Sequence, residues 1–196
     1  MTSRVYRLHS TLELPLEDVH EFFDNPELPE EIADIDITRR NNTLIISAVS
    51  ADDSISKYTP TAQLKASVTE NRVYEVPLDE WNKAQRGGAP NWGAAQQEEQ
   101  EKPPSELVEY ACFKGDRETV LQNTALQYPM FEVLCSLAKI AEKGTLTAIS
   151  AVDDDLVATR IVDGEVRPAS IDVVENPTED AASKKGVNWR DNKFIS

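Results

Sequence analysis

Residues Gly115–Val152, GDRETVLQNTALQYPMFEVLCSLAKIAEKGTLTAISAV, form the most strongly patterned stretch of this chain. Asp116 is suited to begin a helix, because its carboxylate can accept a hydrogen bond from a free N–H group of the first turn. Gly144 is suited to follow the end of a helix, because glycine adopts the left-handed conformation at little cost. Apolar residues recur at helical spacing between them, at Met130, Val133, Leu134, Leu137, Ile140 and Ala141. The stretch therefore predicts an amphipathic helix that lies on a sheet.

Pro129 interrupts this helical pattern. Proline lacks a backbone N–H group, and it disfavours the α conformation of the residue before it, here Tyr128. We therefore expect a kink or a break at this point. The pattern predicts a shorter leading segment over Arg117–Gln127 and a second helix that restarts with Pro129 in its first turn.

Most of the remaining chain has the pattern of strands joined by tight turns. Asn41-Asn42 and Asp163-Gly164 are typical of two-residue hairpin turns, because their residues tolerate positive φ. Complete apolar and polar alternation from Tyr58 to Val68 predicts a strand, while a helix capped by Thr59 stays open as the alternative. Further strands are predicted at Ser3–Leu14, from Ile32, Ile35 and Ile37 to the turn, at Thr43–Ile46, Leu107–Phe113, Thr145–Val152, Leu156–Val162 and Glu165–Val174, with a short helix containing Val19, Phe22 and Phe23.

Together these elements predict an α+β fold in which two β-α-β-β-β units place helices on antiparallel sheet. The first unit spans residues 1–75 and the second spans residues 105–175. Residues 76–104 are predicted to be a flexible, acidic, Pro- and Gln-rich linker, and residues 176–196 a disordered or docking tail. The likeness of TLIISAVSADDSI, from Thr43, to TLTAISAVDDDL, from Thr145, suggests an internal duplication. The two copies would be different strands of their units, so the duplication stays open.

The chain is strongly acidic. Its 196 residues include 35 Asp and Glu against 20 Lys and Arg, which gives a formal net charge of −15 at pH 7. This charge repels nucleic acid and anionic membranes at ordinary ionic strength, whereas at molar salt the screening length falls to about 3 Å. A high-salt cytoplasm explains the composition most simply, and an ordinary cytosolic protein with acidic loops is the alternative. Because no apolar run approaches the length of a membrane span, we expect a cytoplasmic protein without membrane contact.

The sequence contains none of the common catalytic or cofactor motifs. It has no phosphate-binding glycine loop, GxSxG, CxxC or HExxH motif. The two cysteines, Cys112 and Cys135, are predicted to be buried free thiols. His9 and His20 are too few for a metal site of the usual type, and Asp153-Asp154-Asp155 is most simply a solvated turn. We therefore predict no catalytic residue, no cofactor and no metal site.

Tryptophans outside the predicted units are the best candidates for binding a partner. A tryptophan flanked by basic residues is typical of a short docking segment for a protein, and also of a weak nucleic-acid contact. The alternative is a tail that packs back on its own domain. The candidate residues are Trp81, Trp92, Lys184, Lys185, Trp189 and Arg190.

Two stretches resemble an uncharacterised protein family of haloarchaea, a domain of unknown function. These are SRVYRLHSTLELPLEDVHEFFDNPELP, from Ser3, and FKGDRETVLQNTALQYPMFEVLCSLAKIAEKGTL, from Phe113. The resemblance implies a high-salt cytoplasm and supplies no activity. We expect a non-catalytic binding or regulatory module that engages a protein partner or associates with itself. The alternatives are an enzyme with a pocket of scattered polar residues and a weak nucleic-acid contact through the basic tail, although the few basic residues of the predicted units argue against the latter.

Overall fold

A computed structural model describes residues 3–52, 62–74, 76, 79–80, 104–122, 126–153 and 155–176 of the chain. The strands are β1 (Arg4–Pro15), β2 (Ile32–Arg40), β3 (Thr43–Ser50), β4 (Ala62–Tyr74), β5 (Ser105–Asp116), β6 (Leu121–Gln122), β7 (Thr145–Val152), β8 (Asp155–Val162) and β9 (Glu165–Val166). The helices are α1 (Leu16–Asp24), α2 (Arg117–Val120), α3 (Gln127–Ile140) and α4 (Ile171–Glu175).

The strands of the described residues form one nine-stranded sheet. Its order is β2-β3-β4-β5-β1-β7-β8-β9, and β6 pairs with β4. Strand β1 lies antiparallel between β5 and β7, with Leu12 opposite Phe113 and Leu8 opposite Ala148. The hairpins β2-β3, β3-β4, β7-β8 and β8-β9 are also antiparallel.

The predicted α+β fold of two β-α-β-β-β units is therefore wrong. The described residues are mostly antiparallel strand, and strands from both halves of the chain share one sheet. The reason is a non-local pairing, because β1 inserts between β5 and β7 instead of pairing within its own half. The topology also gives no support to an internal duplication. After α1 the chain enters the edge strand β2 and returns inward, whereas after α3 it enters β7 beside β1 and runs outward.

Local signals placed several elements correctly. The first predicted strand and the short helix containing Val19, Phe22 and Phe23 are confirmed, because β1 extends to Pro15 and α1 follows it directly. Both hairpin turns are confirmed, with φ of 53° at Asn41 and of 48° at Asp163. Residues from Ala62 are extended with the predicted alternation of burial, whereas the start of that prediction, at Tyr58, lies outside the described residues.

The central stretch breaks near Pro129, as predicted, but into smaller pieces. Asp116 caps α2 by accepting a hydrogen bond from the Thr119 backbone N–H at 3.0 Å. This helix is a single turn, because the chain then extends as β6 to pair with β4. Helix α3 begins at Gln127 and carries Pro129 in its first turn.

Helix α3 ends at Ile140, earlier than the prediction that used Gly144 as its terminal signal. The chain leaves the helix at Ala141, which has extended dihedrals of −70° and 123°. Gly144 has a φ of 118°, and a Cβ atom there would lie 2.6 Å from the Thr11 carbonyl oxygen. The glycine is therefore required where the connection to β7 passes close to the backbone of β1.

The predicted strand from Glu165 to Val174 is also wrong beyond its first two residues. Strand β9 ends at Val166, and α4 occupies Ile171–Glu175. Pro168 lies between them, and proline cannot donate a hydrogen bond to a strand ladder.

The apolar core lies on one face of the sheet, where α1 and α3 pack. On α3, Leu134 and Leu137 are fully buried, whereas Ile140 is 46% exposed and does not belong to the core as predicted. The core residues of the sheet include Leu8, Leu12, Leu14, Leu44, Ile46, Leu64, Phe113, Leu146 and Ile161. The polar core residue Ser10 donates its hydroxyl hydrogen to the Phe113 carbonyl oxygen.

The chain divides into two compact units. The first comprises Met1–Thr69 and Tyr110–Ser196, and it contains the core described above. The second comprises Glu70–Glu109, and its described part includes the ends of β4 and β5, where Arg72 Nη1 donates to Ser105 Oγ at 3.0 Å. The boundaries predicted at residues 75, 104 and 175 stay predictions.

Candidate functional site

We call the face of the sheet opposite the core the outer face, and it is polar along β1. Along β1, Leu8 and Leu12 point to the core, while the alternate residues His9 and Thr11 are exposed on the outer face. Thr147 of β7 lies opposite His9 and therefore shares this face. Helix α4 packs against β7 and β8.

A cleft of about 250 Å³ opens within the first unit, at the outer face. Strand β1, the turn into α2, strand β7 and helix α4 each contribute to its walls. The lining residues are Tyr6, Arg7, Leu8, His9, Asp116, Arg117, Glu118, Thr147, Val174 and Glu175. Six of these residues are Arg, His, Asp or Glu and carry ionisable side chains. Because ligand and active sites combine a pocket with a few polar groups, this cleft is a candidate functional site.

Arg117 is fixed in place by its neighbours. Its Nη1 atom donates to the Val5 carbonyl oxygen at 3.1 Å, and its Nη2 atom lies 2.5 Å from Glu118 Oε1. The side chain is 18% exposed. The hydrogen bonds from Arg117 lower the pKa of Glu118 below its ordinary value, because they favour the charged carboxylate. The hydrogen bond from Arg117 to the Val5 carbonyl oxygen ties α2 to β1.

Asp116 is similarly occupied by its capping role. The Thr119 hydroxyl group donates to Asp116 Oδ1 at 2.8 Å, in addition to the backbone N–H of the same residue. These two hydrogen bonds lower the pKa of Asp116 from its ordinary value. The carboxylate therefore stabilises the turn into α2, and it is poorly placed to act as a general base.

Arg7 and Glu175 join β1 to α4 across the cleft. Arg7 Nη1 lies 3.6 Å from Glu175 Oε1, and the Arg7 side chain is 60% exposed. A long, exposed ion pair of this kind contributes little to stability. It can open to admit a ligand at small cost.

Thr147 carries the unsatisfied polar atom of the cleft. The residue is 2% exposed, and its Oγ1 atom is buried without a hydrogen-bond partner among the described residues. An unpaired buried hydroxyl group costs about 1 to 3 kcal/mol. The hydroxyl group therefore lies enclosed at the wall of the cleft, unpaired within the described part of the chain.

The two cysteines are free, as predicted. Cys112 is buried, and burial raises the pKa of the partly buried Cys135 to about 12. Such a thiol is not a nucleophile at neutral pH, because the thiolate is the reactive form. Within the described ranges, no group of three or more His, Cys, Asp or Glu residues is placed to hold a metal ion.

The outer edge of β2 is a second candidate site. Strand β2 ends the sheet, with β3 on its inner side, and no described strand pairs with its other side. Asp34, Asp36, Arg39 and Arg40 are exposed along it. The Ile35 N–H donates to Asp34 Oδ1 at 2.8 Å, so this amide is covered by a side chain instead of by a strand.

The residues singled out in the sequence fall in different places. The partner-binding candidates Trp81, Trp92, Lys184, Lys185, Trp189 and Arg190 all lie outside the described residues, so their role stays a prediction. Asp153, with a φ of 51°, forms the turn between β7 and β8. His9 lines the cleft, whereas His20 is exposed on α1.

Sequence reasoning missed the set of residues that forms the cleft. Arg7, Thr147 and Glu175 are far apart in the chain, and no local pattern connects them. Their only common signal is the register of β1 with β7, which sequence periodicity does not supply. The helix-capping role predicted for Asp116 is confirmed.

None of the described helices is long and apolar enough to span a membrane. Comparison with curated proteins and with solved structures gives no match. Residues 2–196 match the family of unknown function DUF7110, so nearly the whole sequence is covered. The expected membership in a family of unknown function is therefore confirmed, and the chain belongs to DUF7110.

Proposed function

We propose that this chain is a non-catalytic binding or regulatory module of a halophilic archaeal cytoplasm, and that it engages a protein partner through the outer edge of β2. The observation that supports this proposal most directly is the length of that edge. Strand β2 has nine residues, and no described strand covers its outer side. An edge of this kind presents backbone N–H and C=O groups to an extended segment of another chain.

The state of the cleft favours binding over catalysis. Asp116 and Glu118 are held by hydrogen bonds to Thr119 and Arg117. A carboxylate that acts as a general acid or base must instead lie within hydrogen-bond distance of the substrate group whose proton it transfers. The net charge of −15 supports the high-salt cytoplasm, because molar salt screens the repulsion between acidic side chains.

The test is affinity purification from a native high-salt lysate with a matched pair of edge variants. Arg39→Pro removes an edge N–H group, whereas Arg39→Ala shortens the same exposed side chain and keeps that group. We expect a protein partner with the unaltered chain and with Arg39→Ala, and its loss with Arg39→Pro. A partner recovered equally by all three chains would contradict the edge as the binding site.

A second candidate function is a small-ligand or enzyme site at the cleft, and the unpaired Thr147 hydroxyl group favours it. Thr147→Val replaces this hydroxyl with a methyl group of similar size. A polar compound that raises the melting temperature of the unaltered chain, but not that of Thr147→Val, would support the candidate. If the variant is more stable and no compound distinguishes the two chains, the unpaired hydroxyl group only lowers the stability of the fold, and the ligand site is contradicted.

A further inference from the structure

The charges along β2 have an order that fits a second copy of the same strand. The acidic residues Asp34 and Asp36 come first, and the basic residues Arg39 and Arg40 come last. All four are exposed. Two such strands side by side in antiparallel directions bring the acidic half of one against the basic half of the other. Opposite charges facing each other across strands are stabilising, and like charges are destabilising.

The backbone shows which residues can pair across this edge. The Ile35 N–H is hydrogen-bonded to the Asp34 side chain and therefore does not serve the ladder with β3. Backbone groups alternate in direction along a strand, so those of Ile35, Ile37 and Arg39 point to the outer edge. An antiparallel pairing must match these residues with one another.

The register centred on Ile37 places opposite charges across from each other and also pairs the residues whose backbone groups point to the outer edge. It pairs Ile37 with Ile37 and Ile35 with Arg39 through the outward backbone groups. Asp34 then lies directly opposite Arg40 in a non-hydrogen-bonded pair, where side chains approach most closely. A two-fold axis repeats this ion pair, as a closed dimer requires.

The neighbouring registers are poorer. A shift of two residues toward the N-terminus places Asp36 opposite Asp36, which is repulsive. A shift of two residues in the other direction centres the pairing on Thr38 and puts Asp34 opposite Asn42, beyond the end of the strand. The Thr38 register would also oppose charges, with Asp36 facing Arg40, but it pairs only residues 36–40 of each strand. The register centred on Ile37 keeps a charge match over the longer stretch of residues 34–40.

We infer that the partner is a second copy of this chain, joined β2 to β2 in antiparallel fashion about Ile37, so that the two sheets become continuous. The inference rests on the proposed use of the β2 edge. Asp34 covers the Ile35 N–H in the single chain and moves to Arg40 of the other copy when the strands pair. Because each copy carries a charge of −15, screening by salt promotes the association.

The test measures dimer dissociation by analytical ultracentrifugation in about 0.5 M KCl, where contact ion pairs still operate and long-range repulsion is screened. Asp34→Arg and Arg40→Asp each place like charges opposite one another twice. We expect each variant to weaken its own dimer at least about tenfold. Mixing the two variants restores both ion pairs, so the mixture should form a heterodimer as tight as the unaltered dimer. Glu21→Arg, at an exposed position of α1, is the control for a change in net charge.

The outcomes separate this inference from the proposed function. A monomer at every salt concentration, or a dimer that neither charge variant nor Arg39→Pro weakens, would overturn self-pairing. If the chain is a monomer at every salt concentration, the proposed function still stands when affinity purification recovers a different protein that only Arg39→Pro fails to bind. A dimer rescued by mixing Asp34→Arg with Arg40→Asp would establish the second copy as the occupant of the edge.

Discussion

The thiol of Cys135 shows how burial of one side chain makes stability depend on pH. Burial raises its pKa from 9.0 to about 12 in the folded chain. The unfolded chain therefore loses this proton first as the pH rises. The stabilisation is fully present below pH 9.0 and is lost progressively as the pH rises toward about 12.

We predict that Cys135→Ala removes this loss. Between about pH 9 and pH 10 the free energy of unfolding of the unaltered chain should fall by about 1 kcal/mol more than that of the variant. Urea unfolding at both pH values measures the difference, and Cys112→Ala provides the matched control. Identical pH profiles for the unaltered chain and Cys135→Ala would show that the thiol ionises as readily in the fold as outside it.

Gly144 is a residue whose conformation is set by its surroundings. Its φ is 118°, and an added Cβ would meet the Thr11 backbone, which cannot move without disturbing β1. Gly115 has a similar φ of 138°, but its obstacle is the Thr119 side chain. The two glycines therefore separate the cost of a backbone clash from the cost of positive φ.

We predict that Gly144→Ala lowers the free energy of unfolding by about 2 kcal/mol or more, and more than Gly115→Ala does. Chemical denaturation of both variants measures this. Equal losses would mean that the positive φ alone determines the cost and that β1 yields at Thr11.

Helix α3 contributes to the core through one face, and its apolar residues are buried at its centre, whereas its last residue is exposed. Leu134 has no exposed surface, whereas Ile140 is 46% exposed at the last turn. The helical spacing in the sequence predicted both as core residues. It succeeded for Leu134 because periodicity reports which side of a helix is apolar. It failed for Ile140 because periodicity does not report where the covering sheet ends.

Alanine substitution at these two positions should therefore differ in cost. We predict that Leu134→Ala lowers the free energy of unfolding by about 2 to 5 kcal/mol, through lost burial and a cavity. Ile140→Ala should cost less than about 1 kcal/mol. Denaturant titration of the two variants compares them on one helix, and comparable losses would contradict the packing of α3.

At the scale of the whole molecule, local sequence patterns predicted the individual helices and strands, whereas pairing between distant strands determines how they are arranged. The turns at Asn41 and Asp163 are confirmed because positive φ is a local preference of these residues. The place of β1 between β5 and β7 has no such local signal. The cleft depends on the same pairing, since it joins His9 and Thr147. The elements were therefore predictable, whereas the sheet order and the candidate site were not.

The charge of −15 is also a property of the whole chain. We predict that the free energy of unfolding rises as KCl increases from about 0.1 M to about 3 M, because screening removes repulsion in the compact state. Thermal or urea unfolding across this series measures the trend. Equal stability at both ends of the series would contradict adaptation to a high-salt cytoplasm.

The central place of β1 also has a consequence for biosynthesis. This strand is synthesised before its partners β5 and β7, which begin at Ser105 and Thr145. Because both of its ladders join residues far apart in the chain, formation of the sheet is entropically costly and slow. The apolar side of β1 therefore stays unpaired in the nascent polypeptide until β5 and β7 have been synthesised, which makes it a segment that chaperones are expected to protect.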